Sequence, residues 1–141
     1  MMRMGSKLEE LIGVKITVSD LARSLDFYTR LVGLKPTSPA DAAAALQSRA
    51  DFVEVAVNHS GSRRDAALVL MRRSGVAPNA QMAQMTWTMF KVTDVSAAIS
   101  RLKAEGYDIL SEATPYEGLT FGLARDPDGY VVEFLQAESA G

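Results

Sequence analysis

Two segments of this chain share one pattern, and an internal repeat favours a fold built from two similar units. The first segment begins at Val18 and reads VSDLARSL, and the second begins at Val92 and reads VTDVSAAI. In each segment an apolar alternation leads into an aspartate, Asp20 or Asp94, that can cap a following helix. The sequence therefore predicts a strand followed by a capped helix, made twice.

The first repeat extends into a strand-rich unit. Alternation over 12–18 predicts a strand, and the apolar spacing after Asp20 predicts a helix that ends at Gly33. Further strands are predicted at 34–37, 51–57 and 66–71. The alanine-rich segment 39–46 has no counterpart in the second unit, and it favours a short extra helix or a lid over one mouth of the fold.

The second unit repeats this order. A helix is predicted from Asp94 to Gly106, and strands are predicted at 85–92, 107–110, 119–124 and 130–136. The sequence Asp-Pro-Asp-Gly at 126–129 is a strong tight-turn signal. The order is therefore βαβββ twice in a single domain, 1–141, with module one at about 11–73, a linker at 74–84 and module two at about 85–137.

Charge and composition exclude several classes of partner. The 15 basic and 17 acidic residues give a net charge of −2, so no basic surface for nucleic acid or an anionic membrane is expected. No apolar run approaches the roughly 20 residues of a membrane span. The chain has no cysteine, which excludes disulfides and thiolate metal sites. We expect a cytoplasmic protein whose partners are small molecules or proteins.

The chain resembles the vicinal oxygen chelate superfamily, which includes glyoxalase, bleomycin resistance proteins and extradiol dioxygenases. The resemblance is carried by 14–33, by 92–106 and above all by DPDGYVVEF at 126–134. It implies an α+β fold in which two βαβββ modules form an open, cupped mixed sheet with the helices on the convex side and a small molecule or metal in the cup. It also implies a homodimer, because family members commonly complete the cup with a second chain.

Metal-dependent members hold one divalent ion with four inward-facing groups, and the resemblance places these positions at Gly13, Val69, Trp87 and Glu133. The first three have no suitable donor, and one carboxylate alone cannot hold an ion that needs several nitrogen or oxygen ligands. His59, the only histidine, lies in a polar turn. We therefore expect no metal and no other cofactor, and no glyoxalase or dioxygenase activity of the usual kind.

Alternation along the predicted strands selects candidate ligand contacts that face the cup. Trp87 either stacks on a flat or cationic ligand, with Met89, Met71 and Val69 as the surrounding wall, or fills the space of the missing ion as an ordinary core aromatic. Tyr116, predicted to lie in the loop before the strand at 119–124, is a candidate contact at the rim, or a surface packing residue.

Charged residues in the same cup have two interpretations. Glu133 among apolar neighbours needs a partner, and Lys15 and Lys91 are the natural ones, so the structural expectation is either an internal ion pair or lysines that extend to the rim of the cup. Alternatively, the apolar surroundings shift a pKa, and Glu133 with a lysine acts as a metal-free acid/base pair on an enolisable substrate. Glu54 is a further candidate in the cup.

Three functions remain open at this point. The first is a metal-free protein that binds a small aromatic or amphipathic organic molecule. The second is a metal-independent isomerase or lyase that uses Glu133 with a lysine. The third is an interaction protein whose cup is filled by its own side chains. The loss of three metal-ligand positions favours the first, which is our prediction from the sequence.

Overall fold

Two βαβββ modules make up the part of the chain that the computed structural model describes, residues 5–137. The elements of module one are β1 (Gly13–Thr17), α1 (Leu21–Asp26), β2 (Lys35–Pro36), α2 (Pro39–Gln47), β3 (Phe52–Asn58) and β4 (Ala67–Arg73). After α3 (Ala80–Met85), module two contains β5 (Trp87–Lys91), α4 (Val95–Ala104), β6 (Ile109–Tyr116), β7 (Leu119–Arg125) and β8 (Val131–Ala137). The predicted α+β class and repeated order are confirmed.

Each module forms its own four-stranded mixed sheet, and the two sheets have equivalent strand orders. The orders are β1-β4-β3-β2 and β5-β8-β7-β6. The first strand of each module runs parallel to the last, and the other pairs are antiparallel. Among residues 5–137, β1 and β5 each have one strand neighbour, so both are edge strands.

Side-chain caps begin the repeated helices as the sequence predicts. The Asp20 carboxylate accepts a hydrogen bond from the Arg23 N–H at 3.1 Å, and Asp94 accepts one from the Ala97 N–H at 3.0 Å. Residues Phe27–Leu31 continue α1 as a π-helical turn. The alanine-rich segment forms α2, which confirms the extra helix predicted there.

The segment predicted as a linker, 74–84, lies between β4 and β5 and contains most of helix α3, which the sequence did not predict. The side chain of Asn79 accepts hydrogen bonds from the N–H groups of Gln81 and Met82 and caps α3. Proline and glycine earlier in the segment give it the composition of a linker, so the sequence did not predict this short helix. The helix places Ala83 in the core, with 1% of its surface exposed.

The two modules contact each other through their helix-bearing sides. The ring of Phe27 packs edge-on against Tyr107 at 4.8 Å between centroids, and Tyr28 lies 6.3 Å from Phe90 of β5. Ile16 is buried, as expected for the helix-facing side of β1. The same expectation is wrong for Val14, which is 55% exposed because no described element covers the start of this edge strand.

The turn 126–129 anchors module two to module one. The buried Asp126 carboxylate accepts hydrogen bonds from the Tyr28 hydroxyl at 2.7 Å and from the N–H groups of Asp128 and Tyr130 at 2.8 and 2.9 Å. The Tyr130 hydroxyl donates to the Thr17 carbonyl at 2.6 Å. Burial raises the pKa of Asp126 to about 6, although these hydrogen bonds act in the opposite direction.

Gly122 of β7 allows α4 to approach the sheet closely. A Cβ atom at this position would lie 2.7 Å from Ile99 Cγ1 and 2.8 Å from Val95 Cγ1. We expect Gly122→Ala to lower the free energy of unfolding by about 1–3 kcal/mol in urea titrations, because the helix must shift. Gly5→Ala is the control, since nothing lies within 4 Å of its Cβ position. Equal stability of both variants would contradict the close approach.

The raised pKa of Asp126 predicts a pH dependence of stability. A pKa of about 6 in the folded chain, against an ordinary value of 3.8, means that the native state binds more protons than the unfolded state between these values. Stability should therefore rise as the pH falls from 7 to about 5, and urea unfolding at both pH values measures it. Asp126→Asn should lose this rise, and a rise of the same size in that variant would contradict the assignment.

Candidate functional site

An ion pair lies on the concave face of module one. Lys15 Nζ of β1 is 2.7 Å from Glu54 Oε2 of β3. Strand β4 separates these two strands, and its Val69 and Met71 lie directly opposite Lys15 and Glu54 in the register, so all four side chains share one face. Both charged groups are partly exposed, so the pair stabilises the fold by at most about 1 kcal/mol.

Helix α2 borders a cleft beside this pair. The cleft has a volume of about 360 Å³, and its lining includes Glu54 and Val69 together with Ser38, Asp41 and Ala42 from the start of the helix. Ala42 and Ala45 are buried and fix the helix against the module. The alanine-rich segment that forms α2 is therefore one wall of the concave half in module one.

The concave face of module two is lined by apolar side chains. Met89 of β5 lies directly opposite Glu133 of β8, which in turn lies opposite Leu123 of β7. Trp87 is opposite Val131 in the same register. Trp87 and Met89 keep 52% and 62% of their surface exposed, so an indole and a thioether are open to solvent on this face.

Glu133 lacks the ion pair expected for it. It takes part in none of the ion pairs found among the described residues, and Lys15 is bound to Glu54 instead. The expected pairing of Glu133 with Lys15 or Lys91 is therefore wrong within one chain. For Lys15 the reason is the strand order, which places it and Glu133 on different sheets. Lys91 shares a sheet with Glu133 but lies opposite Leu135 and lines a cleft at the end of β5.

The two concave halves do not meet within one chain. The modules contact each other through the opposite side, by way of Phe27 and Tyr28. No hydrogen bond or ion pair among residues 5–137 joins the Lys15–Glu54 half to the Trp87–Glu133 half. The chain therefore carries two separate half-sites, each open to solvent.

The structure places several side chains in positions that the sequence did not predict. Tyr116 is the last residue of β6, not a loop residue, and its ring packs edge-on against Phe121 at 6.5 Å. Lys91 contributes to a cleft at the end of β5 that His59 also lines. Phe121 and Leu123 join the concave face of module two, and the alternation of apolar residues around Gly122 was the sequence signal for them.

The family assignment follows from a comparison with protein-family models. Residues 11–134 match the model of the Glyoxalase/Bleomycin resistance protein/Dioxygenase superfamily. The chain belongs to this superfamily. The resemblance found in the repeated motifs is thereby confirmed. Among the described residues, no helix combines the length and apolar character that crossing a bilayer requires.

Curated and solved members of the superfamily are similar along most of this chain. A lactoylglutathione lyase of Escherichia coli is 27% identical over 133 residues, covering 93% of this chain and 95% of the relative. A glyoxalase I variant of Zea mays has a similar fold, with a TM-score of 0.72 and 21% identity over 92% of this chain, which spans just under half (45%) of the maize chain. An antibiotic-binding protein of a Streptomyces species matches with a TM-score of 0.69 and 21% identity, covering 95% of this chain and 100% of that protein.

The four positions that the resemblance assigns to metal ligands do not supply a donor set for an ion. A Cβ atom at Gly13 would lie 2.6 Å from the Ala67 carbonyl oxygen, so a donor side chain at this position requires the backbone to move. Val69 and Trp87 supply no metal donor, which leaves Glu133 alone. Within residues 5–137, no cluster of three or more histidine, cysteine, aspartate or glutamate residues is arranged to hold an ion.

Proposed function

We propose that this chain is a metal-free binding protein for a small aromatic or amphipathic organic molecule. The ligand lies against the concave face of module two, with Trp87 and Glu133 as the floor and Met89 as part of the wall. The observation that carries the proposal is the exposed Trp87 indole beside Met89, at a position where the superfamily's metal donors are replaced by groups that cannot coordinate.

An exposed indole on an apolar sheet face is suited to stacking. Covering a large aromatic side chain contributes roughly 1.5–3 kcal/mol through apolar burial, and stacking adds to this. The flexible thioether of Met89 adapts to ligands of different outline. Ligands with a flat apolar body and one polar group fit this lining better than strongly charged ones.

The solved relatives support binding as one use of this fold. The Streptomyces protein, whose fold matches along its whole length, is described as an antibiotic-binding protein. At 21% identity, the similarity to this protein shows only a shared fold. The ligand class proposed for the present chain therefore rests on the chain's own residues.

We further propose that the working form is a homodimer. Each chain exposes a half-site from module one and a half-site from module two, and these do not meet within the chain. A second copy related by a two-fold axis would place its module-two half-site beside the module-one half-site of the first chain. The same axis forms the reverse pair, so two equivalent cups are completed. Sedimentation equilibrium that shows only monomer at high micromolar concentration would contradict this part of the proposal.

A metal-independent isomerase or lyase is the second candidate function. One observation favours it: Glu133 is half-buried among apolar neighbours and has no ion-pair partner in the described part of the chain. A carboxylate in such surroundings can exchange a proton with a substrate. The lysine of the pair would be Lys91, since Lys15 is held by Glu54.

Replacing the indole tests the binding proposal. We expect Trp87→Phe to keep the fold but to weaken the binding of flat aromatic compounds by about tenfold, because the smaller ring covers less of the ligand. Calorimetric titration measures the affinity for a panel of aromatic compounds. Glu133→Gln is the matched control on the next strand and should leave the binding of neutral compounds within about twofold. If no compound in the panel changes the Trp87 fluorescence of the unmodified protein, the indole is only a structural plug.

The same Glu133→Gln variant separates the two candidate functions. Unchanged binding with loss of any turnover of an enolisable substrate would favour the acid/base enzyme over the binding protein.

Metal content gives an independent test. Protein purified without a metal-affinity resin should contain far less than one zinc, nickel, iron or manganese ion per chain by elemental analysis, because only Glu133 remains of the donor set. Stoichiometric metal that is lost in Glu133→Gln would contradict the metal-free proposal.

A further inference from the structure

Three of the four methionines in the described part of the chain are exposed. These four are Met71, Met82, Met85 and Met89. Met82, Met85 and Met89 keep 64%, 76% and 62% of their surface exposed, whereas Met71 is half-buried. Methionine is among the residue types most often found fully buried in soluble proteins, so three exposed thioethers within eight residues are unusual.

The three exposed thioethers lie in different surroundings. Met82 and Met85 belong to helix α3, which is outside the sheet. Met89 belongs to β5, two residues after Trp87, so both side chains lie on the same face of the strand. Met89 is therefore the exposed methionine of residues 5–137 that lies on the concave face where we place the ligand.

A thioether in this position is open to reaction with peroxides. The sulfur lone pair forms a bond to one oxygen of hydrogen peroxide, the O–O bond breaks, and the products are a methionine sulfoxide and one water molecule. The sulfur is oxidised and the peroxide is reduced, so no further reactant is needed. Because 62% of Met89 is exposed, its sulfur can meet a peroxide from solvent whenever no ligand covers it.

Oxidation changes the character of the wall beside the indole. The thioether is apolar and adaptable, whereas the sulfoxide is polar and chiral. An aromatic ligand that covers Met89 after oxidation must also cover the S–O dipole, and burying a polar group away from water is unfavourable. The contact that favours the ligand in the reduced protein therefore opposes it in the oxidised one.

Two charged neighbours direct the oxygen of the sulfoxide. Glu133 lies directly opposite Met89 on β8, and an ionised carboxylate only accepts hydrogen bonds, so it repels a second acceptor. Lys91 lies two residues further along β5 on the same face and takes part in none of the ion pairs found within residues 5–137. A hydrogen bond from its ammonium group to the sulfoxide keeps both polar groups on the surface that the ligand covers.

We propose that Met89 is a redox-sensitive modification site that controls ligand binding, and that its conversion to the sulfoxide by a peroxide releases the ligand. This inference rests on the proposed function and adds a regulation of the same site. Binding and oxidation oppose each other, because a bound ligand covers the thioether and the sulfoxide weakens the binding of the ligand. Methionine sulfoxide reductases, with a thiol as the reductant, reverse the change.

Peptide mapping by mass spectrometry tests the modification. In hydrogen peroxide, Met89 should gain one oxygen at a rate within about threefold of the rate at Met85, and Met71 should react more slowly. The probe is 2-naphthol, a flat aromatic compound with one hydroxyl group. At about ten times its dissociation constant it should slow the oxidation of Met89 by at least about fivefold and leave the rate at Met85 unchanged. Equal rates at Met89 with and without the bound probe would overturn the proposal.

Calorimetric titration with 2-naphthol tests the effect on binding. After treatment and removal of the peroxide, the dissociation constant should rise by about tenfold. Methionine sulfoxide reductases with dithiothreitol should return it to within about twofold of its first value. In a control variant that combines Met82→Leu with Met85→Leu, the same loss and recovery should occur. In Met89→Leu, the dissociation constant should be the same before and after treatment, whatever its starting value.

The outcomes separate this inference from the proposed function. Untreated protein that does not bind 2-naphthol contradicts both. Protein that binds the probe equally well before and after oxidation of Met89 keeps the binding function and overturns the redox control. A loss of affinity that also occurs in Met89→Leu, or that accompanies unfolding seen by circular dichroism, overturns it too. If Met89→Leu does not bind the probe, the control variant and the recovery by the reductases decide the question.

Discussion

The hydrogen bond between Tyr28 and Asp126 is the contact on which the relation between the two modules depends. It joins a buried hydroxyl of the first helix to a buried carboxylate of the turn before β8. The carboxylate also orders its own turn through two backbone N–H groups. Because burial raises the pKa of Asp126 to about 6, the fold holds this group at a cost that the packing of the surrounding core offsets.

Local signals predicted most of the fold. Asp20 and Asp94 cap their helices, and the turn 126–129 forms where its sequence places it, since each depends on contacts within a few residues. Helix α3 was missed because Gly75 and Pro78 give the segment the composition of a linker, although Asn79 was a readable cap signal. The exposure of Val14 could not be predicted, because it depends on which elements cover an edge strand.

The candidate site was less predictable, for a reason of topology. Alternation correctly placed Lys15, Trp87 and Met89 on concave faces, because side-chain direction in a strand is a local property. The partner of Lys15 is Glu54, a choice set by the non-local order β1-β4-β3. Local periodicity carries no information about the order of strands in a sheet or about which two concave faces lie next to each other. The separation of the two half-sites therefore emerged only with the tertiary structure.

The close approach at Gly13 has a consequence for how such a chain can evolve. With the Ala67 carbonyl oxygen 2.6 Å from the place of a Cβ atom, no side chain of any kind fits there while β1 and β4 keep their present spacing. A substitution that introduces an imidazole or carboxylate at this position meets a steric barrier before its donor can contribute to coordination. A metal donor at residue 13 therefore requires a change in the spacing of β1 and β4 as well as the substitution itself, so one mutation is not enough.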